Sequence, residues 1–304
     1  MEQYDIAIVG AGPAGMTAAL YAVRAGRRVL LLEGEMYGGQ IVQSRLVENY
    51  PGAPNINGAE LAMKMMEPLT ALGVEPTYGA VERVEREADG FSILAGGQRY
   101  FARAVILATG TGHRKLGVAG EERLIGGGVS FCATCDGMLF RGREVAVIGG
   151  GNTAVQDALV LAELCSRVYL IHRRDAFRAE AQLMARMEKA ENIELITDTV
   201  VTEMRGGMRL ESLMLRNQKS GEERELLVSG AFLAIGSVAR NESVRGLVEL
   251  DEGGYVVANG ECQTNVAGLF AAGDCRKKSV RQLTTAVSDG TVAALGAVAY
   301  LDTL

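Results

Sequence analysis

One folding unit is written into this chain twice, and that repetition limits its fold more than any other feature. Ile6-Ala7-Ile8-Val9 runs into Gly10-Ala11-Gly12-Pro13-Ala14-Gly15, and Val145-Ala146-Val147-Ile148 runs into Gly149-Gly150-Gly151-Asn152-Thr153-Ala154. A short unbroken apolar run reads as a strand buried on both faces, the kind that parallel sheets use. Parallel neighbours need a crossover, so a helix should follow each turn. In the first copy that helix is expected from about Met16 to Ala25, with Gly26 as its C-cap, followed by the strand Val29-Leu30-Leu31-Leu32 ending in Glu33. In the second it is expected from about Val155 to Leu164, followed by Val168-Tyr169-Leu170-Ile171. A lone G-x-G-x-x-G says little. Strand, turn, helix, second strand and terminal acid in this order indicate a dinucleotide site, with backbone N–H groups closing on a pyrophosphate at a helix N-terminus.

The two copies differ where the ribose should lie. Glu33 stands 23 residues beyond Gly10, and the same offset from Gly149 lands on His172, which opens His172-Arg173-Arg174-Asp175-Ala176-Phe177-Arg178. An acid at this point binds a free ribose diol, whereas an arginine cluster binds a 2′-phosphate. The second site should therefore prefer NADPH to NADH. The plainer reading of the arginines is a solvated basic loop, which does not account for their register.

Each copy then continues into a β-meander. The first alternates from Val81 to Arg86, turns at Asp89-Gly90 and Gly96-Gly97, and leaves through Ala104 to Gly110; the second runs from Val200 through Gly206-Gly207 and Lys219-Ser220-Gly221 to Phe232-Leu233-Ala234-Ile235-Gly236. Between helix and meander of the first copy, a helix near Glu60 to Leu72 carries Met63, Met65 and Met66, read as core fillers. One strand remains, Gly268-Leu269-Phe270-Ala271-Ala272, and the second copy has no place left for it. It should return to the first sheet. The fold class expected is thus α/β: two Rossmann-like, three-layer ββα dinucleotide-binding domains, the second inserted in the first. The boundaries are 1–112 with 243–304 for the first domain and 113–242 for the second.

The inserted domain also carries Phe131-Cys132-Ala133-Thr134-Cys135-Asp136. Cysteines separated by two residues can close a small, strained disulfide, and such pairs often exchange electrons. The competing reading, half of a zinc site, lacks a second close Cys or His pair to complete four ligands, so no metal is expected. Asp136 reads as a proton donor to a thiolate, as a helix-capping acid, or as both. Cys165, Cys262 and Cys275 stand alone and read as small buried residues. A net charge of −6 argues against nucleic acid, and no apolar run is long enough for a membrane span. The opening Met1-Glu2-Gln3-Tyr4-Asp5 lacks a signal peptide's basic region and apolar core, and five cysteines do not form a secreted disulfide framework. A cytoplasmic protein is expected.

Over nearly its whole length the sequence resembles the low-molecular-weight, bacterial-type thioredoxin reductases, class II of the pyridine nucleotide-disulfide oxidoreductases. The markers are Gly10 to Gly15, Gly38-Gly39-Gln40, Glu48-Asn49-Tyr50-Pro51-Gly52, Ala108-Thr109-Gly110, Cys132-Ala133-Thr134-Cys135-Asp136, Gly149 to Ala154, His172-Arg173-Arg174 with Arg178, Ala272-Gly273-Asp274 and Arg281-Gln282. The resemblance implies FAD in the first domain and NADPH in the inserted one. FAD would take the backbone of Gly10, Gly12, Pro13, Ala14 and Gly15, the ribose acid Glu33, and Gly39, Gln40, Asn49, Thr109 and Gly110. It would also take Asp274 and the helix start at Arg281, Gln282 and Leu283. NADPH would take Gly149, Gly151, Asn152, Thr153, Ala154, His172, Arg173, Arg174 and Arg178. The resemblance further implies a relay from NADPH through FAD to a Cys132–Cys135 disulfide and on to thioredoxin. Cys135 would lie nearer the flavin, Cys132 would attack the carrier and Asp136 would donate the proton. It implies a homodimer, and rotation of the inserted domain on hinges near Thr111 to Lys115 and Ala239 to Ser243. The sequence departs from the family at Ser237-Val238-Ala239-Arg240-Asn241, where a His and a Pro of the usual Ile-Gly-His-x-Pro-Asn are missing. A reductase of another thioredoxin-like or peroxiredoxin carrier fits the same motifs. A flavin-dependent dithiol oxidase would have no use for the three arginines, and a nucleotide-binding redox sensor no use for the complete relay.

Overall fold

The computed structural model describes residues 3–44, 46–47, 49–53 and 55–304; Glu48 of the Glu-Asn-Tyr-Pro-Gly motif lies outside the described residues. The chain forms two compact units, Met1–Gly112 with Val238–Leu304, and His113–Ser237.

The first unit begins with β1 (Gln3–Val9), α1 (Pro13–Arg24), β2 (Val29–Glu33), α2 (Gly58–Ala71), β3 (Pro76–Tyr78), β4 (Val81–Glu87), β5 (Gly90–Ala95) and β6 (Gln98–Leu107). These strands join one sheet in the order β3-β2-β1-β6-β5-β4. β6 pairs antiparallel with β5 from Gln98 to Ala102 and parallel with β1 from Phe101 to Leu107. α1 starts at Pro13, inside the glycine motif and ahead of the expected Met16. Proline fits the first helical position because its missing N–H would have no partner there.

The chain crosses through β7 (Thr111–His113) into the second unit: α3 (Glu121–Leu124), β8 (Val129–Ser130), α4 (Ala133–Asp136), β9 (Glu144–Ile148), α5 (Asn152–Ala162) and β10 (Arg167–Ile171). It continues with α6 (Ala181–Met187), β11 (Ile193–Ile196), β12 (Thr199–Arg205), β13 (Ser212–Asn217), β14 (Glu223–Leu227) and β15 (Gly230–Leu233). A parallel sheet runs β11-β10-β9-β15-β8, and the meander β12-β13-β14 stands as a sheet of its own. The chain returns through β16 (Ser237–Ala239), adds β17 (Leu269–Ala271) beside β6 in the first unit's sheet, and ends on α7 (Leu283–Asp302).

Strand alternation builds three layers in each unit. In the first, Ile6 and Ile8 of β1 pack with α1 and α7, while Ala7 and Val9 pack with Val84, Phe91, Ile93 and Val256 on the other face. In the second, Val145 and Val147 of β9 face α5, and Ala146 and Ile148 face Val201, Met204, Leu213 and Leu215 of the meander. Each fully buried Ile or Val contributes about 1.5–3 kcal/mol, so the two-sided burial of these strands fixes the sheet before any ligand is considered.

Two expectations change. Met66 is buried and Met65 partly so, but Met63 points outward with about half its surface exposed. One helix face reaches the core, made by Leu61, Ala62, Met65, Met66 and Leu69, and Met63 falls outside that arc. Residues 238–242, expected in the inserted domain, belong to the first unit. Asn241 holds them there: buried, it donates from Nδ2 to the carbonyls of Gly254 and Cys275, both at 2.9 Å.

Candidate active site

In the second unit, Cys132 and Cys135 form a disulfide with Cα atoms 5.3 Å apart. Cys132 is the N-cap of the single-turn α4, and the amides of Cys135 and Asp136 both donate to its carbonyl, at 3.3 and 3.1 Å. The turn is seated on α5: Ala133 is buried in the same cluster as Val155, Ala158 and Leu161. A Cβ added at Gly137 would come within 3.1–3.2 Å of the Leu161 and Leu164 side chains, so glycine allows this close approach. On the other side of the cysteines Phe131 stacks on His113, with ring centroids 4.2 Å apart and the ring planes nearly parallel. Met138 and Leu139, just past the disulfide, are exposed.

Asp136 caps no backbone N–H, so the capping alternative falls. Its Oδ2 accepts the Ser130 hydroxyl at 2.6 Å, and its buried Oδ1 has no hydrogen bond among the described residues. Burial raises the Asp136 carboxyl, and the Ser130 hydrogen bond opposes that in part. A carboxyl that keeps its proton longer than usual, one residue from a dithiol, suits proton donation. The same Ser130 hydroxyl accepts the Cys132 amide at 3.1 Å.

The second glycine loop combines crowding with openness. A Cβ at Gly149 would lie 2.4 Å from the Ala234 carbonyl oxygen, and at Gly150 2.1 Å from the His172 ring, but at Gly151 it would meet nothing within 4 Å. The loop is therefore braced from below and open above. His172 is part of the brace: its ring also tilts against Phe177, and burial lowers its pKa. The Arg178 amide donates to the Gly150 carbonyl at 2.7 Å, tying the basic loop to the glycine turn. Arg173, Arg174 and Arg178 are exposed and form no ion pair among the described residues, whereas Asp175 between them pairs with Lys219. Asn152 points elsewhere than expected, exchanging hydrogen bonds with Glu180 at 2.8 and 2.9 Å. The start of α5 has no side-chain cap and Val155 donates back to the Gly151 carbonyl, so the Thr153 and Ala154 amides, without a partner among the described residues, can face an anion.

The first unit repeats this plan. A Cβ at Gly15 would lie 1.8 Å from the Gly10 carbonyl oxygen, whereas Gly12 has nothing closer than the Gly39 Cα at 3.9 Å. Glu33 is held beneath the loop, accepting from the Ala11 amide at 2.8 Å and the Glu35 amide at 2.9 Å. Farther along, Gln40 donates to the Thr111 carbonyl and, at 3.1 Å, to its hydroxyl. Asn49 donates to Gln282 at 3.3 Å, and Arg281 lies over the Tyr255 ring while donating to the Asp274 carbonyl. Gln282 is the N-cap of α7 and forms a capping box with Thr285, which places Leu283 in the first turn. Thr109 donates to Asn241 at 2.8 Å, and Asn241 is bonded in turn to Cys275 beside Asp274.

The residues expected to hold FAD thus gather at the carboxyl ends of β1 and β6 and at the start of α7. The orphaned Asp274 Oδ1 fits a ligand hydroxyl: it is buried, and its nearest cation, Lys278 Nζ, stands at 3.5 Å. Burial raises this carboxyl and Lys278 opposes it. Lys278 is itself held by Asp289 at 3.0 Å, and Asp289 also accepts the Gly273 amide at 3.1 Å and pairs with buried Arg276 at 3.3 Å. Sequence reasoning missed Ser130, Asn241, Lys278 and Asp289. Only Asn241, retained at the end of the departing hinge motif, carried a signal. Cys165, Cys262 and Cys275 are free and buried, as expected.

Comparison with known proteins agrees with this geometry. The family described as pyridine nucleotide-disulphide oxidoreductase matches residues 4–290. A thioredoxin reductase of Treponema pallidum is 45% identical over 99% of this chain and 98% of its own length, and one of Listeria innocua is 43% identical over 99% and 95%. The crystal structure of thioredoxin reductase from Streptococcus pyogenes superposes with a TM-score of 0.95 at 40% identity, covering 99% of both chains. The chain belongs to the pyridine nucleotide-disulphide oxidoreductase family and, within it, to the thioredoxin reductases.

Proposed function

We propose that this protein reduces the disulfide of thioredoxin, or of a thioredoxin-like carrier, with electrons from NADPH and with FAD as its resident cofactor. The observation that carries the reading is the Cys132–Cys135 disulfide in the same unit as a glycine turn flanked by three unpaired arginines. NADPH, a proton and the protein disulfide give NADP⁺ and two thiols; the dithiol and a carrier disulfide then give back the protein disulfide and a reduced carrier. Bound FAD supplies a two-electron carrier between nicotinamide and disulfide.

The chain's own residues do the rest. Gly12, Ala14 and Gly15 offer the α1 start to the FAD pyrophosphate, Glu33 its ribose acid, and Asp274 its free oxygen. The start of α7 would offer a positive dipole end to the flavin of bound FAD. Arg173, Arg174 and Arg178 select the 2′-phosphate. Asp136 gives a proton to the thiolate, and Cys132 attacks the carrier, for which exposed Met138 and Leu139 offer apolar contact. Rotation of the inserted unit, taken up at the crossings near 111–115 and 237–243, would let one flavin serve both half-reactions.

The test is to reconstitute the protein with FAD and follow NADPH oxidation with and without oxidised thioredoxin. Turnover that requires the carrier supports the reading. Steady NADPH oxidation by oxygen alone, unaffected by thioredoxin, would point to a dithiol oxidase.

A further inference from the structure

We propose that Ser130 is a positioning residue of the redox centre: one hydroxyl orients both the Asp136 carboxyl and the Cys132 backbone, leaving Asp136 Oδ1 as the single oxygen through which protons reach the dithiol. The inference deepens the proposed function and rests on the reading of Asp136 as its proton donor.

A serine hydroxyl has one proton to donate and lone pairs to accept with. Two acceptors lie near Ser130 Oγ, Asp136 Oδ2 at 2.6 Å and the Cys132 carbonyl at 3.4 Å, and the shorter contact takes the proton. The Cys132 amide donates to the same oxygen at 3.1 Å. Ser130 is only 6% exposed, and its backbone is paired with Phe232 in the parallel sheet. The hydroxyl is thus anchored to the sheet while the cysteines sit on a one-turn helix with few hydrogen bonds of its own. Without it, Asp136 Oδ2 and the Cys132 amide would lose their partner, and the carboxyl would keep no hydrogen bond among the described residues.

The proton step is balanced without electron movement: the protonated carboxyl and a cysteine thiolate give a carboxylate and a thiol, and the reverse reaction restores them. No charged side chain shifts Asp136; burial acts first and the Ser130 hydrogen bond second. α5, which carries the side chains that pack on α4, also bears Asp157, and Cys165 follows it, so Asp157→Asn serves as a control.

The test needs no flavin chemistry. The protein is reduced with dithiothreitol, and alkylation of Cys132 and Cys135 by iodoacetamide is followed against pH by mass spectrometry. An ionised Asp136 opposes thiolate formation, so Asp136→Asn should lower the pH midpoint of alkylation, by about half a unit or more. Loss of the Ser130 hydrogen bond keeps Asp136 protonated to higher pH, so Ser130→Ala should lower the midpoint too, by less. In the Asp136→Asn background Ser130→Ala should add nothing, and Ser130→Thr should restore the wild-type midpoint. Should Ser130→Ala not fold, Ser130→Thr against Ser130→Val isolates the hydroxyl at nearly constant shape. An Asp136→Asn shift with no Ser130→Ala shift, or equal Ser130→Ala shifts in both backgrounds, overturns the positioning role. An unmoved midpoint in Asp136→Asn itself overturns the proton-donor reading, and the inference with it.

Discussion

Asp157 lies on α5 between the buried residues Val155 and Ala158, and burial lifts its carboxyl to about 7. A carboxyl with a raised pKa binds its proton more tightly in the fold than in the unfolded chain, so it favours the folded state at low pH. Stability should fall as pH rises from about 4 to about 7, and Asp157→Asn should remove that fall, with a gain on the order of 1–3 kcal/mol above pH 7 and almost none near pH 4. Thermal melts across that range check it. In the proposed function Arg173 and Arg174 act on a ligand instead. Each charge-assisted bond to a 2′-phosphate is worth about 1.5–3 kcal/mol, or one to two decades of binding. Replacing both with Ala should raise the KM for NADPH strongly and leave that for NADH nearly unchanged. Equal losses with both nucleotides would make the loop merely structural.

At the scale of elements, each strand–turn–helix unit separates glycines that pack from glycines that leave room. Gly150 touches the His172 ring, whereas Gly151 faces open space. Gly150→Ala should therefore lower the melting temperature as well as NADPH affinity, because a Cβ 2.1 Å from a packed ring forces the ring or the loop to move. Gly151→Ala should leave the melting temperature nearly unchanged and weaken NADPH binding, which nucleotide titration would read. If Gly151→Ala binds NADPH normally, the phosphate does not lie over this turn. Both turns were legible before the structure because a buried strand, a glycine and a helix start are local patterns. Their finer limits were not. Pro13 and Asn152 begin their helices earlier than the apolar periodicity indicates, since the residues buried in those first turns, Ala14, Gly15 and Ala154, are small members of the glycine motif and carry no apolar stripe.

At the scale of the whole molecule, the proposed function makes the Cys132–Cys135 dithiol the conduit from nucleotide to carrier. Cys132→Ser and Cys135→Ser should each abolish thioredoxin reduction while NADPH still bleaches the bound flavin, because the first electron transfer uses neither sulfur. Stopped-flow absorbance and a thioredoxin-coupled assay separate the two steps. Thioredoxin turnover surviving in either variant would show that the electrons take another route. The duplicated α/β plan, the cysteine pair and the arginine register were all determined by the sequence itself, because each is a matter of spacing along a short segment. The tertiary structure alone decided which of the polar groups meet. Thr109 finds Asn241 across 132 positions, Lys278 is shared by Asp274 and Asp289, and Ser130 turns its hydroxyl under Asp136. Polar groups buried in a fold must find partners wherever the chain brings them, and no periodicity records that requirement.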